Sequence, residues 1–165
     1  MKLRATRVVH CGVEIARPAS IVWKWILEGI AAGQHYARAG YRIDSLADPH
    51  PYFKAYRLHL ESADLVDEIM AGITELDDKA MRLSMFAEFS SPQAKGLVAY
   101  VTYQAIPRDG SSLMQMDCHA TFDLDLDEHA SPEDIARSAE AGRGYYERDT
   151  TGWFGEVKTR LESSC

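Results

Sequence analysis

A chain of 165 residues, 46% hydrophobic and 26% charged, is long enough to bury a proper core and has the composition of a soluble globular protein. Its net charge of −7 argues against non-specific attraction to nucleic acid or to anionic membranes, both of which want basic surface. No run of about 18 apolar residues occurs, so no segment reads as a membrane span, and Lys2, Arg4 and Arg7 precede no apolar stretch of the kind a secretory signal requires. Cys11, Cys118 and Cys165 are odd in number and lack metal-type spacing, a pattern expected of reduced thiols in the cytoplasm. No internal repeat or low-complexity segment divides the chain, and residues 1–165 read as one domain.

Thr6 to Ala16 predicts a strand with Val9, Cys11, Val13 and Ile15 on one face and His10, Gly12 and Glu14 on the other. Pro18 ends it and opens a short helix carrying Ile21, Val22, Trp23, Trp25, Ile26 and Leu27. Trp23 and Trp25, two residues apart, cannot share a helical face. One is expected in the core and the other beneath a loop or at a cavity mouth. Gly29 to Gly40 predicts a second short helix followed by a loop, and Tyr41 to Leu46 a short edge strand. Asp48-Pro49-His50-Pro51 is a turn, because its prolines remove donors and restrict φ.

From Tyr52 the chain reads as successive strands separated by turns. Tyr56, Leu58 and Leu60 alternate with Arg57, His59 and Glu61, which point outward. Ser62-Ala63-Asp64 turns into a strand from Leu65 to Leu76 whose parity is not clean. Asp77-Asp78 turns again into Met81, Leu83, Met85 and Ala87, and Ser90-Ser91-Pro92 forms a loop. Leu97 to Ile106 is apolar on both parities, as in a strand covered on both sides. Arg108-Asp109-Gly110 is a hairpin signal. After it, Met114, Met116, Cys118, Ala120, Phe122 and Leu124 face one way, against Gln115, Asp117, His119, Thr121, Asp123 and Asp125.

Ser131-Pro132-Glu133-Asp134 then opens a long helix, about 131–162, with a capping hydroxyl, a proline in the first turn and two carboxylates that complement the helix dipole. Ile135, Ala139, Gly142, Tyr146, Trp153, Val157 and Leu161 form its apolar stripe. Glycines at 142, 144, 152 and 155 each weaken it by about 1 kcal/mol relative to alanine, which predicts a break or kink near Gly142–Gly144. A sheet apolar on one face must cover something, and this helix is the partner of sufficient size. A curved sheet gripping one helix leaves room for a cavity, with adaptable methionines such as Met81, Met85, Met114 and Met116 around it.

The run Glu14-Ile15-Ala16-Arg17-Pro18-Ala19-Ser20-Ile21-Val22-Trp23 resembles the strand, proline turn and V-W helix of the START-like (SRPBCC) superfamily of polyketide cyclases and lipid-binding proteins. Arg57-Leu58-His59-Leu60 followed by Val66-Asp67-Glu68-Ile69 is similar to that family's third and fourth strands. The segment from Gly152 to Glu162 resembles its closing helix. The resemblance covers nearly the whole chain. It implies an α+β helix-grip fold: a curved antiparallel sheet of about seven strands around the C-terminal helix, with two short helices between strands 1 and 2. It also implies an apolar-ligand cavity. Two departures stand out. The aromatic after the second helix is matched only loosely, by Tyr36 or Tyr41, and the Glu68 to Asp77-Asp78 interval is longer than usual, which predicts a bulge or shifted register in the fourth strand.

The residues expected to line that cavity are Met85, Met116, Cys118 and Phe122 from strand parity and Tyr146, Trp153 and Val157 from the helical stripe. Glu68 joins them through the resemblance, because the family aims a polar group inward from this strand; a solvated strand residue is the alternative reading. The resemblance also sets the first and last strands side by side, antiparallel. Cys11 and Cys118 are then expected near one another inside as free thiols, with Cα atoms about 4.5–5.5 Å apart if directly opposite and about 7–8 Å if diagonal. His10, His35, His50, His59, His119 and His129 show no ligand spacing and read as surface groups, so no metal is expected. No nucleophile motif or glycine-rich phosphate loop appears; no cofactor is expected, catalytic residues stay unassigned, and Cys118 reads as a packing thiol.

Three functions are consistent with this pattern. The first is binding of a small apolar ligand, aromatic, polyketide-like or lipidic. The second is a cyclase, aromatase or dehydratase working by general acid/base groups in the cavity, which leaves open whether the protein is an enzyme. The third is a protein-interaction module of co-chaperone type. Few ionisable groups (Glu68, Asp149) are candidates to face inward, which favours binding. The expected partner is a small apolar ligand, without nucleic acid or membrane insertion, for a monomer or homodimer.

Overall fold

The computed structural model describes residues 2–61, 66–90, 96–127 and 129–163. The expectations for Ser62-Ala63-Asp64, for Leu65, for Ser91-Pro92 and for Cys165 lie outside them. The first strand, β1 (Lys2–Ile15), is followed by helix α1 (Ala19–Ile26), a π-helical turn (Leu27–Ala31) and helix α2 (Gln34–Arg38). Six further strands come next: β2 (Arg42–Ser45), β3 (Lys54–Glu61), β4 (Val66–Asp77), β5 (Arg82–Phe89), β6 (Val98–Pro107) and β7 (Ser112–Asp125). Helix α3 (Pro132–Ser163) ends the chain's regular structure.

The strands form one antiparallel sheet in the order β1-β7-β6-β5-β4-β3-β2. Strands β2 to β7 follow one another as a meander, and β1 closes the far edge by pairing along its whole length with β7, from Lys2 opposite Asp125 to Ile15 opposite Ser112. Alternation makes one face of this sheet the core face: Val9, Leu58, Ile69, Ile73, Leu83, Met85, Met114 and Met116 are buried on it. Helix α3 lies on the same side, chiefly against β1.

In β4 the register shifts between Ile73 and Glu75, at the bulge that the longer Glu68 to Asp77 interval predicts. The shift leaves Glu75 paired with Ser84, where its carboxylate accepts from the Ser84 hydroxyl at 2.8 Å and from the Arg82 guanidinium.

Helix α3 begins as the sequence predicts. Ser131 Oγ accepts from the Asp134 backbone N–H at 3.2 Å, and the Ser131 N–H donates to the Asp134 carboxylate at 3.1 Å, a reciprocal capping box. The expected break at Gly142–Gly144 does not occur: the helix is continuous over its 32 residues, about 48 Å at 1.5 Å per residue. Tertiary contacts hold the weak turn. A Cβ at Gly142 would stand 3.5 Å from the Phe122 ring, so the helix passes close above β7, and Arg7 Nη1 donates to the Gly142 carbonyl at 3.3 Å. Arg143 bridges Glu140 and Glu147 along the outer side of the same turn.

Both tryptophans of α1 are buried, Trp23 at 7% exposure and Trp25 at 8%, and they do different work. The Trp23 indole N–H donates to Asp78 Oδ1 at 3.0 Å, anchoring the helix beneath the β4–β5 turn. Trp25 packs on Trp153 of α3 with ring centroids 5.9 Å apart.

Candidate functional site

Between the middle of α3, the α1–α2 region and the core face of the sheet lies a cavity of about 530 Å³. Strand parity supplies its floor, Tyr103 of β6 and Met116 of β7, which are directly paired across those strands. The stripe of α3 supplies one wall through Tyr146 and Trp153, with Asp149, Gly152 and Glu156 towards solvent. Ile30, His35 and Tyr36 form the opposite wall, because the π-helical turn and α2 bring that segment down onto Trp153. A smaller annex of about 220 Å³ adjoins it and shares His35, Trp153 and Glu156; its other lining residues are Trp25, Arg38, Ala39, Val157 and Arg160.

Aromatic rings and phenols dominate the interior. The His35 ring meets Trp153 edge-on at 5.3 Å and Tyr36 at 5.5 Å, and Tyr103 meets Trp153 at 6.0 Å. Burial pushes the Tyr36 phenol up to about 12 and raises the phenols of Tyr103 and Tyr146 well above their ordinary value, so all three are protonated at neutral pH. His35 is displaced the other way. Burial lowers its pKa most, the like charges of Arg160 and Arg38 lower it further, and Glu156 opposes them, so at neutral pH its imidazole is neutral.

Deeper in, Tyr146 shares a hydrogen bond with Cys118. Burial pushes the Cys118 thiol up, although that hydrogen bond and the nearby Arg7 charge pull it down. Arg7 is the cation of this region. Its guanidinium lies 5.0 Å from the centroid of Phe122 and 4.3 Å from that of Tyr146, a sandwich between β7 and α3, while its buried Nε has no hydrogen-bond partner.

The residues expected at the cavity separate into groups. Met116, Tyr146 and Trp153 line it, Val157 lines the annex, and Cys118 stands behind Tyr146. Met85 is closed core and Phe122 is the platform beneath Arg7. Glu68 is a correction: it pairs with His59 on the opposite face of the sheet from Leu58 and Ile69, with its carboxylate 3.8 Å from the His59 ring. Parity decides this, because Ile69 fills the core and its neighbour must then point away. The inward carboxylate of β4 is Asp67, which accepts from the Tyr41 hydroxyl at 2.6 Å and whose other oxygen is buried without a partner.

Cys11 stands opposite Met116 and Cys118 opposite Val9, so the two cysteines are diagonal neighbours with free thiols. Cys118 is buried, whereas Cys11 is half-buried against Thr151 of α3.

Sequence reasoning missed Arg7, His35, Tyr36 and Tyr103 as parts of this region. Arg7 lies inside the predicted first strand and shares the odd parity of Val9 and Cys11, and that parity is the signal that turns it inward. His35 was assigned to the surface with the other histidines, and only its place between Trp25, Tyr36 and Trp153 sets it apart. Tyr103 sits in a strand apolar on both parities, where sequence offers no choice of face. Among the described residues no group of three or more His, Cys, Asp or Glu side chains is placed to hold a metal ion, and no helix is long and apolar enough to cross a membrane.

A seven-stranded antiparallel sheet folded over a long C-terminal helix, with short helices between its first two strands, is the START-like (SRPBCC) helix-grip fold, also called Bet v1-like. Solved structures share it at low identity. The Zhui aromatase/cyclase from a Streptomyces species superposes with a TM-score of 0.62 at 16% identity, over 96% of this chain and 94% of that one. Ara h 8.0201 gives 0.63 at 10% identity, over 97% and 100%. Norcoclaurine synthase from Thalictrum flavum, in complex with dopamine and hydroxybenzaldehyde, gives 0.57 at 14% identity, over 72% and 71%. No protein-family model matches the sequence, and no curated protein does.

Proposed function

We propose that this protein binds a small apolar ligand, aromatic or polyketide-like, in the cavity between its sheet and α3. The observation that carries this reading is the lining itself: about 530 Å³ walled by Tyr36, Tyr103, Tyr146, Trp153 and Met116, with protonated phenols as polar anchors. That combination of apolar walls and a few convergent donors is the physics of a small-molecule pocket. The structural neighbours support it, since one is solved with two small aromatic molecules bound and another is named an aromatase/cyclase. A module that only docks proteins would have its interior filled.

Native mass spectrometry of the purified protein and solvent extraction of any retained molecule test this reading, together with titration of 2-naphthol followed by tryptophan fluorescence. Saturable quenching that Trp153→Ala abolishes is the expected result. The absence of quenching, with no retained molecule, sinks it.

A second reading, a cyclase-type enzyme using general acid/base groups, is favoured by one observation. A neutral imidazole, His35, borders the same cavity as three protonated phenols, so a proton acceptor and proton donors coexist there. If the protein turns over an aromatic precursor, His35→Ala should abolish the rate while leaving binding of the cavity ligand measurable. Equal rates in both proteins would remove the enzymatic reading.

A further inference from the structure

Three sulfur-bearing side chains share the inner face of the β1–β7 pair, beneath the middle of α3. Cys11 stands directly opposite Met116, and Cys118 follows two residues along the same strand, opposite Val9. Both thiols are tied to α3, Cys11 to the Thr151 side chain and Cys118 to Tyr146, so both rise from the sheet towards the helix. Burial raises the Cys118 thiol most, Tyr146 and Arg7 lower it, and Cys11 raises it in turn, so the two thiols sense one another. Met116 is 1% exposed and borders the main cavity beneath the same stretch of helix. Diagonal neighbours on paired strands have Cα atoms about 7–8 Å apart, beyond the span of a disulfide. A bridging ion removes that limit, because each sulfur then has to reach only a point between them.

We propose that Cys11, Cys118 and Met116 form a soft-metal site that takes a monovalent copper ion, Cu(I), between two thiolates and a thioether. No three His, Cys, Asp or Glu side chains are grouped to hold a metal among the described residues, and the third donor here is methionine sulfur. Thiolate and thioether donors favour Cu(I), whereas zinc at such a site lacks a fourth ligand. Binding is a proton exchange with no redox step. Cu(I) takes the place of the proton on each thiol, two copper–thiolate bonds form, and two protons leave for solvent. Two thiolates around a monovalent ion leave one negative charge, and Arg7 supplies the compensating cation. Its guanidinium stands over the Tyr146 ring and is near enough to Cys118 to pull that thiol's pKa down. The ion enters at Cys11, which is half-buried on the edge strand of the sheet. This inference stands apart from the ligand-binding reading, because copper needs none of the aromatic walls.

The test uses the full chain in a Cys165→Ser background, which leaves Cys11 and Cys118 as its cysteines. It is titrated without oxygen with Cu(I) held by bicinchoninate, a coloured chelator. The protein should withdraw one equivalent of copper, and X-ray absorption of the bound metal should show three sulfur neighbours. The charged and titratable groups that act on the thiols are Arg7, Tyr103, Tyr146 and Glu147, and the thiols themselves give up the two protons. Apparent affinity should therefore rise about 100-fold per pH unit below the thiol pKa values, about tenfold for each proton. Cys11→Ser and Cys118→Ser should each weaken binding at least about 100-fold, and Met116→Leu about tenfold with loss of one sulfur neighbour. Circular dichroism checks that each variant is folded, and Cys11→Ala or Cys118→Ala replaces a serine variant that is not. Copper left entirely with the chelator overturns the proposal before any site residue is changed. Uptake that persists at the same affinity in both cysteine variants overturns it too, as does a shell of nitrogen and oxygen donors. Two sulfur neighbours, with an affinity unmoved by Met116→Leu, overturn the three-sulfur site.

Discussion

The guanidinium of Arg7 lies 4.3 Å from the ring centroid of Tyr146, so the first strand and the last helix meet through a cation on a π face. Phe122 closes the other side of the sandwich, and the same arginine holds the Gly142 carbonyl. These contacts bridge β1, β7 and α3 at the helix turn that its own glycines weaken. Replacing Arg7 by Ala should cost about 1–2 kcal/mol in urea unfolding, through the lost cation–π contacts and the lost packing of the side-chain stem. It should also raise the Cys118 thiol further, because the Arg7 charge pulls that pKa down. An unchanged unfolding midpoint, or a Cys118 pKa that falls, would contradict this arrangement.

Trp153 and Phe154 are adjacent in α3 and should respond differently to truncation. Phe154 is 2% exposed closed core, and Phe154→Ala should cost about 3–5 kcal/mol. Trp153 is only half-buried and faces both the cavity and its annex, so Trp153→Ala should cost less than about 3 kcal/mol while abolishing binding of 2-naphthol. Denaturant melts and fluorescence titrations of the two variants separate the roles; a larger stability loss at Trp153 than at Phe154 would make it core.

His35 gives the fold a pH dependence of definite sign. Its folded-state pKa lies below the ordinary 6.5, so the unfolded chain binds the proton more readily. The stability it contributes is fully present above 6.5 and is lost as pH falls through that value towards the depressed folded pKa. His35→Phe should flatten this part of the stability profile. Denaturant midpoints measured between pH 5 and 8, compared for the two proteins, check it. A profile that is equally steep in both would assign the dependence elsewhere.

The cysteines should differ in kinetics. Cys118, 1% exposed and with its thiol pushed up by burial, should react with a bulky thiol reagent only as fast as the fold opens. Cys11, half-buried beside Thr151, should react sooner. Tyr146→Phe removes the hydrogen bond that lowers the Cys118 pKa and should slow its thiolate chemistry further. Rapid labelling of Cys118 in the native protein would mean that β7 does not have the parity described.

Much of the architecture was legible in the chain because it rests on local rules. Ser131 through Asp134 marks the start of α3 by capping chemistry alone, and the alternation from Met114 to Leu124 sets the core face of β7 without reference to any other strand. In β1 the alternation that turns Val9 and Cys11 inward includes Arg7 and brings a charge into the interior. Other features depend on residues far apart in sequence. The α3 turn at Gly142 is unbroken because Phe122 and Arg7 come to it, which no helical propensity contains. Asp67 and not Glu68 is the inward carboxylate of β4 because the partner strand places Leu58 opposite Ile69, and a shift of one residue reverses every side chain. His35 looks like five other histidines until Trp25, Tyr36 and Trp153 surround it, since burial and neighbouring charge are properties of a place in the fold and not of a position in the chain.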